Sequence, residues 1–110
     1  MESLHTFLTD QAHICKQNAA ALTADDRCDE AVFEKIRANV YEIFVSVLTA
    51  AQRTADPDAF FRARLADIPA AWETALEKAR SRGDEARTHT ETVKLEVVAV
   101  IREKAGVAHD

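Results

Sequence analysis

Apolar residues recur along most of this chain at intervals of three and four, the spacing that gathers side chains on one face of an α-helix. Leu4, Leu8, Ala12, Cys15, Ala19 and Leu22 form a first stripe, widened by Phe7 and Ile14 and backed by polar residues. Phe33, Ile36, Val40, Ile43, Val47 and Ala51 keep the same rhythm for about five turns. Phe61, Leu65, Ile68, Trp72, Leu76 and Ala79 stay in phase across Pro69, although a proline inside a helix removes one ladder hydrogen bond and crowds the turn before it. The stretch Val93-Lys94-Leu95-Glu96-Val97 alternates like a strand, yet no other segment offers it a partner. Val93, Val97, Val100 and Ile101 also share one helical face, so tertiary context selects a helix there.

Punctuation between the stripes divides the chain. The only glycines, Gly83 and Gly106, each follow a segment rich in Lys or Arg, as helix C-termini do. Asp56 before Pro57 is an acid at a cap position followed by a proline at the first helical position, where its missing N–H costs nothing. Asp84 follows Gly83 directly, so one helix stops and the next begins within two residues. Helices are therefore predicted over about 3–22, 26–54, 57–82 and 84–105, with residues 107–110 frayed at the end. Long helices on short connections predict an all-α fold: an antiparallel up-down-up-down four-helix bundle with its third helix kinked at Pro69.

With 110 residues, the chain has the size of a single domain with one core, spanning 1–110. Hydrophobic residues at 47% and charged residues at 30% fit a folded chain rather than a disordered one. Fourteen bases against 19 acids give a net charge of -5, spread along the chain with no basic footprint, which argues against a nucleic-acid partner. The richest apolar run, Val40 to Ala51, is broken by Glu42, Ser46 and Thr49 and is too short to cross a bilayer. An acid stands at Glu2, where a secretory signal would carry bases, so a cytoplasmic location is expected. Cys15 and Cys28 form no paired motif; folding helices 1 and 2 back on each other offsets them by roughly 7 Å along the axis, which argues against a disulfide.

The second helix carries more apolar surface than one core face requires. Tyr41, Phe44, Val45 and Leu48 form their own i, i+3, i+4, i+7 set beside the main stripe, and the two sets together cover roughly 220° of arc against a little over 100° for an ordinary surface helix. Either helices 1 and 3 wrap the surplus inside one chain, or it faces a second copy or another helical protein. The second reading makes Tyr41, Phe44, Val45 and Leu48 an interface, which Phe60 extends at the level of Ala51.

Other chemistry is thinner. Di-metal bundles use repeated Glu-x-x-His motifs, and this chain has none. Asp10-Gln11-Ala12-His13 is a single acid–imidazole pair, and in the expected topology His13 and His89 lie at nearly the same level on neighbouring helices, the basis of a mononuclear metal site. His5 and His109 stand near the ends and point to nothing. Trp72 is expected near the bundle middle among Ala70, Ala71 and Ala75, leaving room for a small ligand, with Asn39 or Thr9 accepting from its indole N–H. There is no glycine-rich phosphate loop, nucleophile elbow or metalloprotease motif, and the acid pairs Asp25-Asp26 and Asp29-Glu30 suit the dipole of a helix start. The sequence thus reads as a non-catalytic interaction or homodimerisation bundle without a cofactor, the alternative being a small-ligand or metal-binding bundle.

Overall fold

Helix ends are where backbone groups lack partners, and this chain satisfies them locally. In a computed structural model, which describes residues 2–107, Asp56 accepts a hydrogen bond from the Ala59 N–H at 3.1 Å and Asp84 one from the Arg87 N–H at 3.0 Å. These caps start α3 (Pro57–Arg82) and α4 (Glu85–Ala105); α1 (Glu2–Ala24) and α2 (Cys28–Ala51) precede them. His109 and the expected frayed end beyond Val107 lie outside the described residues.

Three helices close their C-termini in one way. Gly83 and Gly106 take left-handed backbone at φ 68° and 72°, and the next amides reach back, Asp84 N–H to the Ala79 carbonyl and Val107 N–H to the Arg102 carbonyl, both at 2.9 Å. At the end of α1 the same bond runs from Arg27 N–H to the Leu22 carbonyl at 2.8 Å, but the left-handed residue is Asp26, at φ 60°. A side chain there strains against its own backbone, more mildly for Asp than for most residues.

The protein is an all-α four-helix bundle with no strand among the described residues; the alternating stretch from Val93 to Val97 lies within α4. α1 packs along α2, and α3 along α4. Trp72 lies beneath Lys94, and the Leu65 carbonyl meets Arg102, so later residues of α4 meet earlier residues of α3. Phe44 stands edge-on to Phe61, joining α2 to α3, and Phe33 stacks on His89, joining α2 to α4. Contact between α1 and α4 is sparse, around Phe7 and Lys104, and α1 does not pack on α3. The bundle is therefore a sheared square with α2 and α4 across its short diagonal, 45 × 35 × 19 Å overall, about two helix diameters thick.

The predicted stripes of α1 and α3 supply the core on their sides: Leu4, Leu8, Ala12, Cys15 and Ala19, then Phe61, Leu65 and Ala79, are buried. Ile14 and Val100, assigned to stripes by spacing, are 44% and 42% exposed instead. In α4 the burial shifts to Val98, beside Val93, Val97 and Ile101.

Pro69 is buried inside α3, which continues through it as one helix. Proline has no N–H to give the carbonyl four residues back, which is that of Leu65. Arg102 of α4 donates to that oxygen from a guanidinium nitrogen at 3.2 Å. The gap in one helix thus becomes a bond between two. Replacing Arg102 by Met is expected to cost about 1–3 kcal/mol in denaturant unfolding. The cost should fall by about 1 kcal/mol in a Pro69→Ala background, where the new amide can serve Leu65. A double-mutant cycle with no coupling would remove this account. Separately, Asp26→Gly is expected to raise stability by about 0.5–1 kcal/mol by relieving the left-handed residue, measured as a higher unfolding midpoint.

Candidate interaction surface

The surplus apolar surface of α2 exists, but most of the second stripe is core: of the expected core stripe Val40 and Ala51 are fully buried, while Phe33, Ile36, Ile43 and Val47 are only half-buried. Tyr41, Phe44 and Leu48, expected at an interface, are 5%, 0% and 1% exposed and belong to the core; Val45 is half-buried beside it. Around the helix, buried positions run from Val40 through Ala51, Phe44, Leu48, Tyr41 and Ala38 to Ala31, an arc of about 180°. That arc is wide because α2 is packed against all three other helices. Phe7 of α1 meets Tyr41 edge-on at 6.5 Å between centroids, while Phe61 of α3 meets Phe44 at 6.2 Å.

The edge left partly open belongs to the other stripe. Ile36, Ile43 and Val47 are half-buried, and Ile43 and Val47 line a shallow, almost wholly apolar groove with Ser46, Ala50, Phe60 and Arg64. Ser46 and Ala50 are small and exposed, so a neighbouring backbone can approach α2 closely there. Phe60 contributes to this surface, at the level expected from its place beside Phe61, though on the opposite edge of α2 from the predicted set.

The imidazoles proposed for a metal do not meet. His13 is exposed and lines a recess between α1 and α2 with Thr9, Lys16, Glu42 and Ser46, whereas His89 stacks on Phe33 with ring centroids 4.0 Å apart. Glu42 and Phe33 stand nine positions apart on α2, roughly 14 Å along the axis. The physical reason is the sheared square, which keeps α1 and α4 from lying side by side. Among the described residues no group of three His, Cys, Asp or Glu is placed to hold a metal ion.

Trp72 is half-buried beneath Lys94, whose ammonium lies 5.5 Å from the ring centroid. Asn39 is exposed, and Thr9 belongs to α1, which does not pack on α3, so neither encloses the indole as expected. Ala70 and Ala71 are exposed too and form no cavity wall around it.

One buried charge, Glu91, has no counterpart in the sequence expectations, and the polar neighbour of Cys15 has none either. Glu91 is 0% exposed and accepts from Arg87 at 2.8 Å and Lys94 at 3.4 Å, both on α4. Its partners at i−4 and i+3 were the available signal, since a carboxylate needs such cations before it can be buried. Cys15 is buried against Glu34, which itself accepts from Arg37 at 2.8 Å. Burial, then the charge of Glu34, pushes the Cys15 thiol up to about 11. Burial likewise raises Tyr41, with the neighbouring Cys15 the next cause. Neither arrangement activates a nucleophile, because both neutral forms are favoured.

No protein-family model, curated protein or solved structure matches the chain. Among the described residues no helix is long and apolar enough to cross a membrane. Both cysteines are free, Cys15 buried and Cys28 exposed. Burial and the raised pKa of Cys15 leave it overwhelmingly in the thiol form at pH 8. An aromatic disulfide reagent is therefore expected to label one thiol per folded chain, with peptide mapping placing it at Cys28, and two in denaturant. Rapid labelling of both in the folded protein would contradict the packing of Cys15.

Proposed function

We propose that the protein is a non-catalytic helical interaction module whose partner surface is the α2–α3 groove. The observation that supports this reading most is the groove's composition: Ile43, Val47, Ala50 and Phe60 gather beside a single charged residue, Arg64. Ile43 and Val47 also pack against the core, but their outer surfaces join Ala50 and Phe60 in one contiguous apolar strip, and an apolar patch rimmed by polar groups is a common mark of a contact site. The half-buried side chains stand on two rigid helices, so binding needs little ordering of the receiving face. A reducing cytoplasmic setting suits the free thiols of Cys15 and Cys28.

The reading is tested by placing a photo-cross-linking amino acid at Ser46, within the groove, and at Glu96, exposed on α4, in cells producing the protein. Position 46 is expected to yield a discrete adduct that position 96 does not. Ala50→Glu, a change at an exposed helical position, should abolish that adduct while leaving the unfolding midpoint nearly unchanged. Equal, diffuse labelling from both positions would sink the proposal.

A further inference from the structure

The stripe of α3 that borders the groove carries one charge of each sign. Phe60, Arg64, Asp67 and Ala71 follow at spacings of four, three and four, which confines them to about 60° of the helix circumference. Arg64 and Asp67 are 44% and 69% exposed at their side chains and pair with each other at 3.1 Å. The Arg64 guanidinium also lies 5.5 Å from the Phe60 ring centroid, covering part of its face.

We infer that the occupant of this surface is a second copy of the chain, its α3 laid antiparallel on the first, so that Arg64 and Asp67 of one protomer meet the partner's Asp67 and the partner's Arg64. The inference rests on the interaction reading above and names its partner. A two-fold axis passing between positions 65 and 66 brings 64 opposite 67 and 60 opposite 71 at once. Both matches are complementary. The first joins opposite charges twice, and the second sets the large Phe60 ring against the partner's Ala71, where a small side chain leaves room for it. Ile43 and Val47 flank the contact from α2 and add apolar area on either side of the axis.

The charge pattern is what selects a copy over a foreign partner. A strongly acidic or basic protein would satisfy one of Arg64 and Asp67 and repel the other, whereas the same face, turned by the two-fold, answers both. Each protomer already holds its Arg64–Asp67 pair exposed to water, so exchanging partners across the axis sacrifices little. The half-buried apolar residues leave only a modest area to cover, which sets the expected affinity at about 10–100 µM rather than nanomolar.

Sedimentation equilibrium from about 5 to about 500 µM tests the pairing. The natural chain is expected to dimerise reversibly within that range. Arg64→Glu places two acid pairs across the axis and Asp67→Arg two basic pairs, so each alone should weaken dimerisation at least about tenfold. An equimolar mixture of the two variants restores both opposite-charge contacts and should recover dimers containing one chain of each. Circular dichroism melts of both variants, expected within a few degrees of the natural chain, exclude misfolding as the cause. A monomer at the highest concentration, a dimer indifferent to both reversals, or a mixture that stays monomeric would each overturn the inference. Should the chain be monomeric while Ser46 still yields a specific adduct with a different protein, the second copy is excluded and the interaction module stands.

Discussion

The constraint on which this fold depends is that α2 must be covered from three directions. Its apolar residues wrap too far around the axis for one neighbour to hide, so α1 takes the side of Tyr41 and Ala38, and α3 and α4 share the side of Phe44 and Val40. Placing α2 centrally shears the square that four helices of similar length would otherwise form. The same choice separates α1 from α4, thins the molecule to 19 Å and leaves one edge of α2 uncovered. Burying Phe44 and Leu48 completely contributes about 1.5–3 kcal/mol each, far more than any surface ion pair in the protein. The position of α2 is therefore settled by packing, and the charges adapt to it.

Polar groups in the interior obey a second condition: each is supplied with a partner by its own helix or the next. Glu91 is matched within α4 by Arg87 and Lys94, and the Leu65 carbonyl, orphaned by Pro69, is matched from α4 by Arg102. Among the described residues no buried side-chain nitrogen or oxygen lacks a hydrogen-bond partner. Both arrangements fasten α4, whose apolar residues are mainly β-branched valines with a weaker inherent preference for helix than leucine or alanine. Tertiary packing and these tethers hold as helix a segment whose local pattern, from Val93 to Val97, equally suits a strand.

Much of this was legible in the residue order, and the boundary between legible and hidden has a physical basis. Helix ends declared themselves because glycine, proline and capping acids act on their own backbone: Gly83, Gly106, Asp56 and Asp84 do what their types imply. The α1 stripe from Leu4 to Ala19 was equally plain, since a peripheral helix has one face to bury. How far each of the two stripes on α2 turns inward is not a local property. It depends on the side from which α1 approaches, and nothing in the spacing of Tyr41, Phe44 and Leu48 against Ile43 and Val47 records that. The expected meeting of His13 and His89 failed for the same reason, because helix levels can be counted along a chain while helix adjacency cannot. Asp26 marks a finer limit: an acid in a left-handed closing turn looks, in sequence, like one more acid before a helix.

Part of one edge of α2 stays open for a reason found in the core itself. Ile43 and Val47 line the groove with Phe60, and substituting polar residues there would also loosen the interior they border. Ile43 and Val47 pack against the buried cluster with part of their surface while presenting the rest to the groove. A half-buried β-branched side chain thus serves the interior first, and its outer methyl groups remain accessible as a consequence. A contact at that edge need not rearrange the core, because Ile43 and Val47 are already held from behind by the buried cluster. Such pre-organisation turns a small apolar area into a usable contact, since little conformational entropy is left to lose when the contact forms.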